Sequence, residues 1–128
     1  MSISRDHRAA RNAASIALAD AGPGAACIKV YDAPGGALLG IRQLAKPCGD
    51  ITAEGRIQLL PAAANDLVTA GGVPGWAEWC DGSGVPIWGA EVTDEAGAGP
   101  FKLAGTAESM MIYQGGVLAL SSPPLLGP

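Results

Sequence analysis

The sequence predicts an all-β domain, a jelly-roll-like two-sheet sandwich with a short N-terminal helix and an extended Pro-rich C-terminal arm. Three observations lead there. Glycine (19) and proline (10) together exceed ordinary usage in a chain of 128 residues, which fits many short elements joined by turns. About seven short stretches read as strands, with turn signals roughly every 8–12 residues. All three tryptophans fall within Gly75–Trp88, which reads as strand, Asp-Gly turn and strand.

The helix comes first. Ser4 is placed to cap a helix from about Arg5 to Ala21, which Gly22-Pro23-Gly24 stops. Ala9, Ala13, Ile16, Ala17 and Asp20 fall along one side, and Arg5, Arg8 and Arg11 recur three apart on another. An alanine stripe buries little area, so this helix is marginal alone and gains stability by docking on the body or on a neighbouring subunit.

After it the period changes from helical to alternating. Cys27–Asp32 is a first strand, ended by Ala33-Pro34-Gly35-Gly36. Leu38–Leu44 is a second, with Leu39 and Ile41 on one face, and Lys46-Pro47-Cys48-Gly49-Asp50 breaks it because Pro47 cannot donate to a ladder. Arg56–Leu60 alternates between Gly55 and Pro61, and Ala62–Gly72 reads as a short helical turn or a loop. In the hairpin, Gly75, Ala77 and Trp79 share one face and Trp76, Glu78 and Cys80 the other, while Trp88 and Val92 alternate on the second strand. Phe101–Leu103 and Gly116–Leu120 are the last strands. The tail Ser121–Pro128 is extended by its prolines, and Leu125-Leu126 offer something apolar to bury. The organisation is one domain: helix 1–22, sandwich 25–120 and arm 121–128.

Charge and cysteine narrow the partners. Residues 1–20 balance at +1, whereas residues 21–128 carry five basic and ten acidic side chains, a balance of −5. Such a body has no extended basic surface for phosphates, so nucleic acid is not an expected partner. Cys27, Cys48 and Cys80 are odd in number and widely spaced, which suits buried free thiols in a protein made in a reducing cytoplasm. No apolar run approaches the ~20 residues of a membrane span, and the N-terminus lacks the apolar core of a signal peptide.

Catalytic patterns are weak. His7 is the single histidine and sits among arginines in the first helical turn, where a solvated surface position is expected. Neither a metal cluster nor a Cys–His nucleophile pair has suitable spacing. Asp94-Glu95 and the Asp50/Glu54 pair lack the alternating oxygen ligands of a calcium loop. Asp81-Gly82-Ser83-Gly84 is glycine-rich like a phosphate cradle, but two flanking strands explain it as a turn. No catalytic residue, cofactor or metal ligand is assigned. Three tryptophans on one hairpin suit core packing and a subunit interface, or a carbohydrate-stacking surface. Trp76 and Trp79 point to opposite faces and cannot share one platform.

The order of segments resembles a known family. An Ala-rich helix with Asn12 is followed by Ile28-x-Val30-Tyr31-Asp32 and Pro34-Gly35-Gly36, then a Leu/Ile strand and Gly55-x-Ile57-x-Leu59. The Gly75-Trp76-Ala77-x-Trp79-x-Asp81-Gly82-x-Gly84 hairpin and a Gly-led strand at Gly116–Leu120 complete it. This looks like the small virion proteins of tailed bacteriophages, in particular capsid cement (decoration) proteins of jelly-roll type. Met110-Met111-Ile112-Tyr113 and the Pro/Leu arm depart from that family's Thr/Ser-rich final strand. The resemblance implies a structural, non-enzymatic protein on the outer capsid surface of a virion. There it would bridge major capsid proteins of an HK97-like shell, as a homodimer or other homo-oligomer, without cofactor. A tail or head–tail junction component and a carbohydrate- or host-surface-binding module are the alternatives. The interface expected from the residues comprises Arg5, Arg8, Arg11, Trp76, Trp79, Trp88, Pro123, Pro124, Leu125 and Leu126.

Overall fold

Helix α1 (Arg5–Asp20) begins where its cap predicts, with Ser4 Oγ accepting from the His7 amide at 3.1 Å. The computed structural model describes residues 4–62, 66–94, 101–103, 112–115, 117–118 and 125–126. Within them the helix precedes strands β1 (Cys27–Tyr31), β2 (Leu38–Ile51), β3 (Ile57–Pro61), β4 (Asp66–Leu67), β5 (Trp76–Cys80), β6 (Pro86–Asp94), β7 (Phe101–Leu103), β8 (Val117–Leu118) and β9 (Leu125–Leu126). The chain is mostly β with one short helix.

Seven strands hydrogen-bond in the order β7-β6-β5-β1-β2-β3-β9, and β4 pairs with β8 separately. Every pairing is antiparallel except β6 with β7, which is parallel. The turn spacing predicts a two-sheet sandwich; the seven strands form a curled sheet, with the two-stranded β4–β8 ladder apart from it.

The curl originates in β2. This strand was expected to end at Leu44, yet it runs on to Ile51. Its first half pairs with β1, and its second half pairs with β3 through Gly49↔Leu59, Asp50↔Gln58 and Ile51↔Ile57. Between Leu44 and Gly49 the register with β3 slips, and Pro47 falls inside that slip. A residue without an N–H is tolerated there because the ladder is already interrupted. One strand therefore serves both ends of the sheet and turns it around the core.

That core gathers Ile28 and Val30 of β1, Leu39, Leu44 and Cys48 of β2, Ile57 and Leu59 of β3, Ala77 and Trp79 of β5, and Val92 of β6. On β1 and β5 the alternation is clean. Ile28 faces Trp79 and Val30 faces Ala77 on the inner side, while Cys27, Lys29 and Tyr31 oppose Cys80, Glu78 and Trp76 on the other.

The docked face of the helix is rotated from the predicted side, keeping Ile16 and Asp20 and adding Asn12 and Ala19. Asn12 and Ala19 are buried and Ile16 packs against the core, whereas Ala13 and Ala17 are exposed. Positions 12, 16 and 19 follow one helical face. Asn12 is drawn in because its Nδ2 donates to the Gly55 carbonyl at 2.8 Å. Asp20 holds the other end of the helix, accepting from the Cys48 amide at 3.1 and 3.2 Å.

Within Ala62–Gly72, where a helical turn or loop was expected, the described residues form β4 and a loop. Asp66 there accepts from Arg42 Nη1 at 2.9 Å and from the Gln43 amide at 3.0 Å. The Arg42 side chain is only 7% exposed.

Candidate functional site

The residues expected to form an interface separate into two regions. Near the N-terminus the three arginines do not act as one face. Arg8 is half-buried, and its Nη1 donates to the Glu54 carbonyl at 2.6 Å. It thereby helps seat α1 on the turn between β2 and β3. Arg5 Nε lies 3.6 Å from Asp6 Oδ1, a pair so exposed that it adds little stability. Arg5 and Arg11 thus keep exposed cationic side chains on the helix.

Leu125 and Leu126 reach the same part of the sheet. Leu125 pairs with Gln58 and Leu126 with Ile57, so β9 is an added edge strand on β3. The helix also contacts β3. Pro123 and Pro124 lie outside the described residues.

The second region is the tryptophan hairpin. Its turn is closed by Asp81, whose Oδ1 accepts from the amides of Ser83 at 2.9 Å and Val85 at 3.0 Å; this is a self-contained turn. Trp79 and Trp88 are register partners on the inner side. Trp79 is 2% exposed, with the Cys48 thiol beside its indole. Trp88 is half-buried against the core.

Trp76 occupies the opposite face, as its position in the strand predicts. A Cβ added to Gly89 would stand 2.7 Å from Trp76 Cζ2, so the indole lies directly over the Gly89 backbone. Its Nε1 donates to Glu78 Oε2 at 3.4 Å. Tyr31 is the register partner of Trp76, with Glu78 near it. Burial, and then the charge of Glu78, push the Tyr31 phenol above its ordinary value. Two aromatics and one carboxylate therefore lie together on the outer face. Tyr31 and Glu78 were not singled out from sequence; the signal that finds them is the alternation of both strands combined with the Tyr31↔Trp76 register.

All three cysteines are free and buried. Burial, with the Asp20 carboxylate beside it, pushes the Cys48 thiol up to about 12. Cys27 moves the other way, to about 7, chiefly through the Cys80 thiol beside it. Burial opposes that shift and the Lys29 ammonium assists it. The proximity of Cys27, together with burial, raises Cys80, whose Sγ donates to the Glu78 carbonyl at 3.7 Å.

His7 is exposed at the start of α1. Among the described residues no group of three or more His, Cys, Asp or Glu side chains is placed to hold a metal ion, and no helix is long and apolar enough to cross a membrane. Comparison with known proteins finds no matching family model, no matching curated protein and no matching solved structure.

Proposed function

We propose that this chain is a structural virion protein, a capsid cement (decoration) protein. It binds the outer surface of an HK97-like phage capsid and bridges neighbouring major capsid proteins as a homodimer or other homo-oligomer. It is made in the host cytoplasm, needs neither cofactor nor catalytic step, and has no nucleic-acid or membrane partner. In this reading the curled sheet is the jelly-roll scaffold, and residues 121–128 are the arm that extends from it.

The observation that carries the proposal is the pairing of Leu125 and Leu126 with the edge of β3. A segment able to add as a strand has a direct means of bridging subunits, because backbone hydrogen bonds along a sheet edge accept many side chains. The exposed arginines at the start of α1 supply a second point of attachment, suited to acidic surface. On a lattice, modest contacts of this kind multiply into strong avidity.

Co-sedimentation with capsids that lack the protein tests the proposal. Saturation at hundreds of copies, with a shell more resistant to heat, supports the cement role. Saturation at a handful moves the protein to the tail or head–tail junction. Deleting Ser121–Pro128, or replacing Arg5 and Arg11 by Ala, weakens attachment while the body stays folded. Normal saturation by both variants would overturn the arm argument.

A second reading rests on the group formed by Tyr31, Trp76 and Glu78. Aromatic area beside a carboxylate acceptor suits a carbohydrate or host-surface ligand, with Trp76 as the tryptophan on that face. Absence of capsid binding, together with glycan-dependent quenching lost in Trp76→Ala, would favour it. Trp79 and Trp88 serve the core in either case.

A further inference from the structure

We infer that Cys27 and Cys80 are a modification site, which a small peroxide converts into an intrachain disulfide joining β1 to β5. The two residues are direct register partners on neighbouring antiparallel strands. Opposed residues in such a ladder have Cα atoms roughly 4.5–5.5 Å apart, inside the ~4.4–6.8 Å range of disulfides. Their side chains leave the same face of the sheet. Bridging them therefore needs no movement of one strand past the other. Cys48 belongs to another strand, where its amide is held by Asp20.

The two thiols are not equivalent. Cys27 is 7% exposed and Cys80 is fully buried, so a small oxidant meets Cys27 first. The neighbouring Cys80 thiol and the Lys29 ammonium favour the Cys27 thiolate, the nucleophilic form. The Cys27 thiolate attacks one peroxide oxygen, the O–O bond breaks and hydroxide leaves, giving a sulfenic acid. Cys80 sulfur then attacks Cys27 sulfur; the S–O bond breaks, and the departing hydroxide takes the Cys80 proton and leaves as water. Overall two thiols lose two electrons and two protons, and one peroxide becomes two waters. This chemistry is independent of the proposed virion role.

Peptide mapping of the full chain tests it. The reduced protein is exposed to hydrogen peroxide beside a glutathione control, denatured, alkylated and digested. The expected result is loss of two of the three alkylatable thiols, a Cys27–Cys80 linked peptide in place of both free peptides, and an alkylated Cys48. Reductant restores all three. Cys48→Ser gives the same link, and Cys80→Ser leaves a Cys27 sulfenic acid that dimedone captures. Three alkylatable thiols after the control has oxidised, a link through Cys48, or links only between chains would overturn the assignment. The wild-type map decides even where a variant fails to fold.

Discussion

The side-chain amide of Asn12 donates to the Gly55 carbonyl over 2.8 Å, joining the middle of the helix to the turn that links β2 and β3. Asn12 is 3% exposed, so the bond is made out of water. Replacing Asn12 by Ala leaves that carbonyl buried without this donor. The expected loss is about 1–3 kcal/mol in urea unfolding. An unchanged midpoint would mean that the helix contributes nothing to the fold of the body.

Gly55 itself is the counterpart. Its φ is +82°, and an added Cβ would stand 2.6 Å from the Arg5 carbonyl oxygen. Gly55→Ala meets both the left-handed backbone penalty of about 1–2 kcal/mol and a backbone clash. Helix α1 should lift from the turn, seen as faster amide exchange through Arg8–Asn12. Protection equal to wild type would contradict this.

Arg42 and Asp66 form the most buried ion pair among the described residues, with side chains 7% and 20% exposed. Asp66→Ala removes a charged acceptor from the buried Arg42 guanidinium and is expected to cost roughly 1.5–3 kcal/mol. Arg42→Met keeps the apolar stem volume and should cost less. Denaturant midpoints in the reverse order would show that the pair is not what holds β4 to β2.

Trp76 over Gly89 sets up an optical test. Gly89→Ala places a methyl in the ring's position, 2.7 Å from Cζ2. The ring can swing outward, so the expected cost is about 1 kcal/mol, at the low end for overpacking. The emission maximum should shift to the red as Trp76 enters water. In a Trp76→Phe background the same substitution should leave emission unchanged.

Cys48 ties stability to alkaline pH. Its folded value, about 12, lies above the ordinary value of 9.0. A raised value means that its contribution is fully present below pH 9 and is lost as pH rises from 9 toward 12, where the unfolded chain ionises first. The slope is at most about 1.4 kcal/mol per pH unit. Wild type should lose stability over that window faster than Cys48→Val. Parallel curves for the two proteins would refute the assignment.

Much of the local structure was legible because its causes lie within a few residues. Ser4 caps the helix and Gly22-Pro23-Gly24 follows its end. Asp81 closes the hairpin, and period-two alternation correctly separated Trp76 from Trp79. The helix face was misread because alanine marks burial weakly. A polar residue, Asn12, turned inward to meet a carbonyl that local pattern cannot reveal. Pro47 predicts the end of a strand because Pro cannot donate; the strand continues because its partner ladder lapses at that point.

The sequence by itself determined a mostly β chain, one capped helix, the order of most strands and the two faces of the tryptophan hairpin. Tertiary structure decided the curl of the sheet through β2, the Arg42–Asp66 pair, the seating of Asn12 on Gly55 and the opposition of Cys27 and Cys80. The physical reason is separation along the chain. Asn12 and Gly55 are 43 residues apart, Asp20 and Cys48 are 28 apart, and Arg42 and Asp66 are 24 apart. Contacts at that range depend on strand register, and a slip of one residue moves every side chain to the other face.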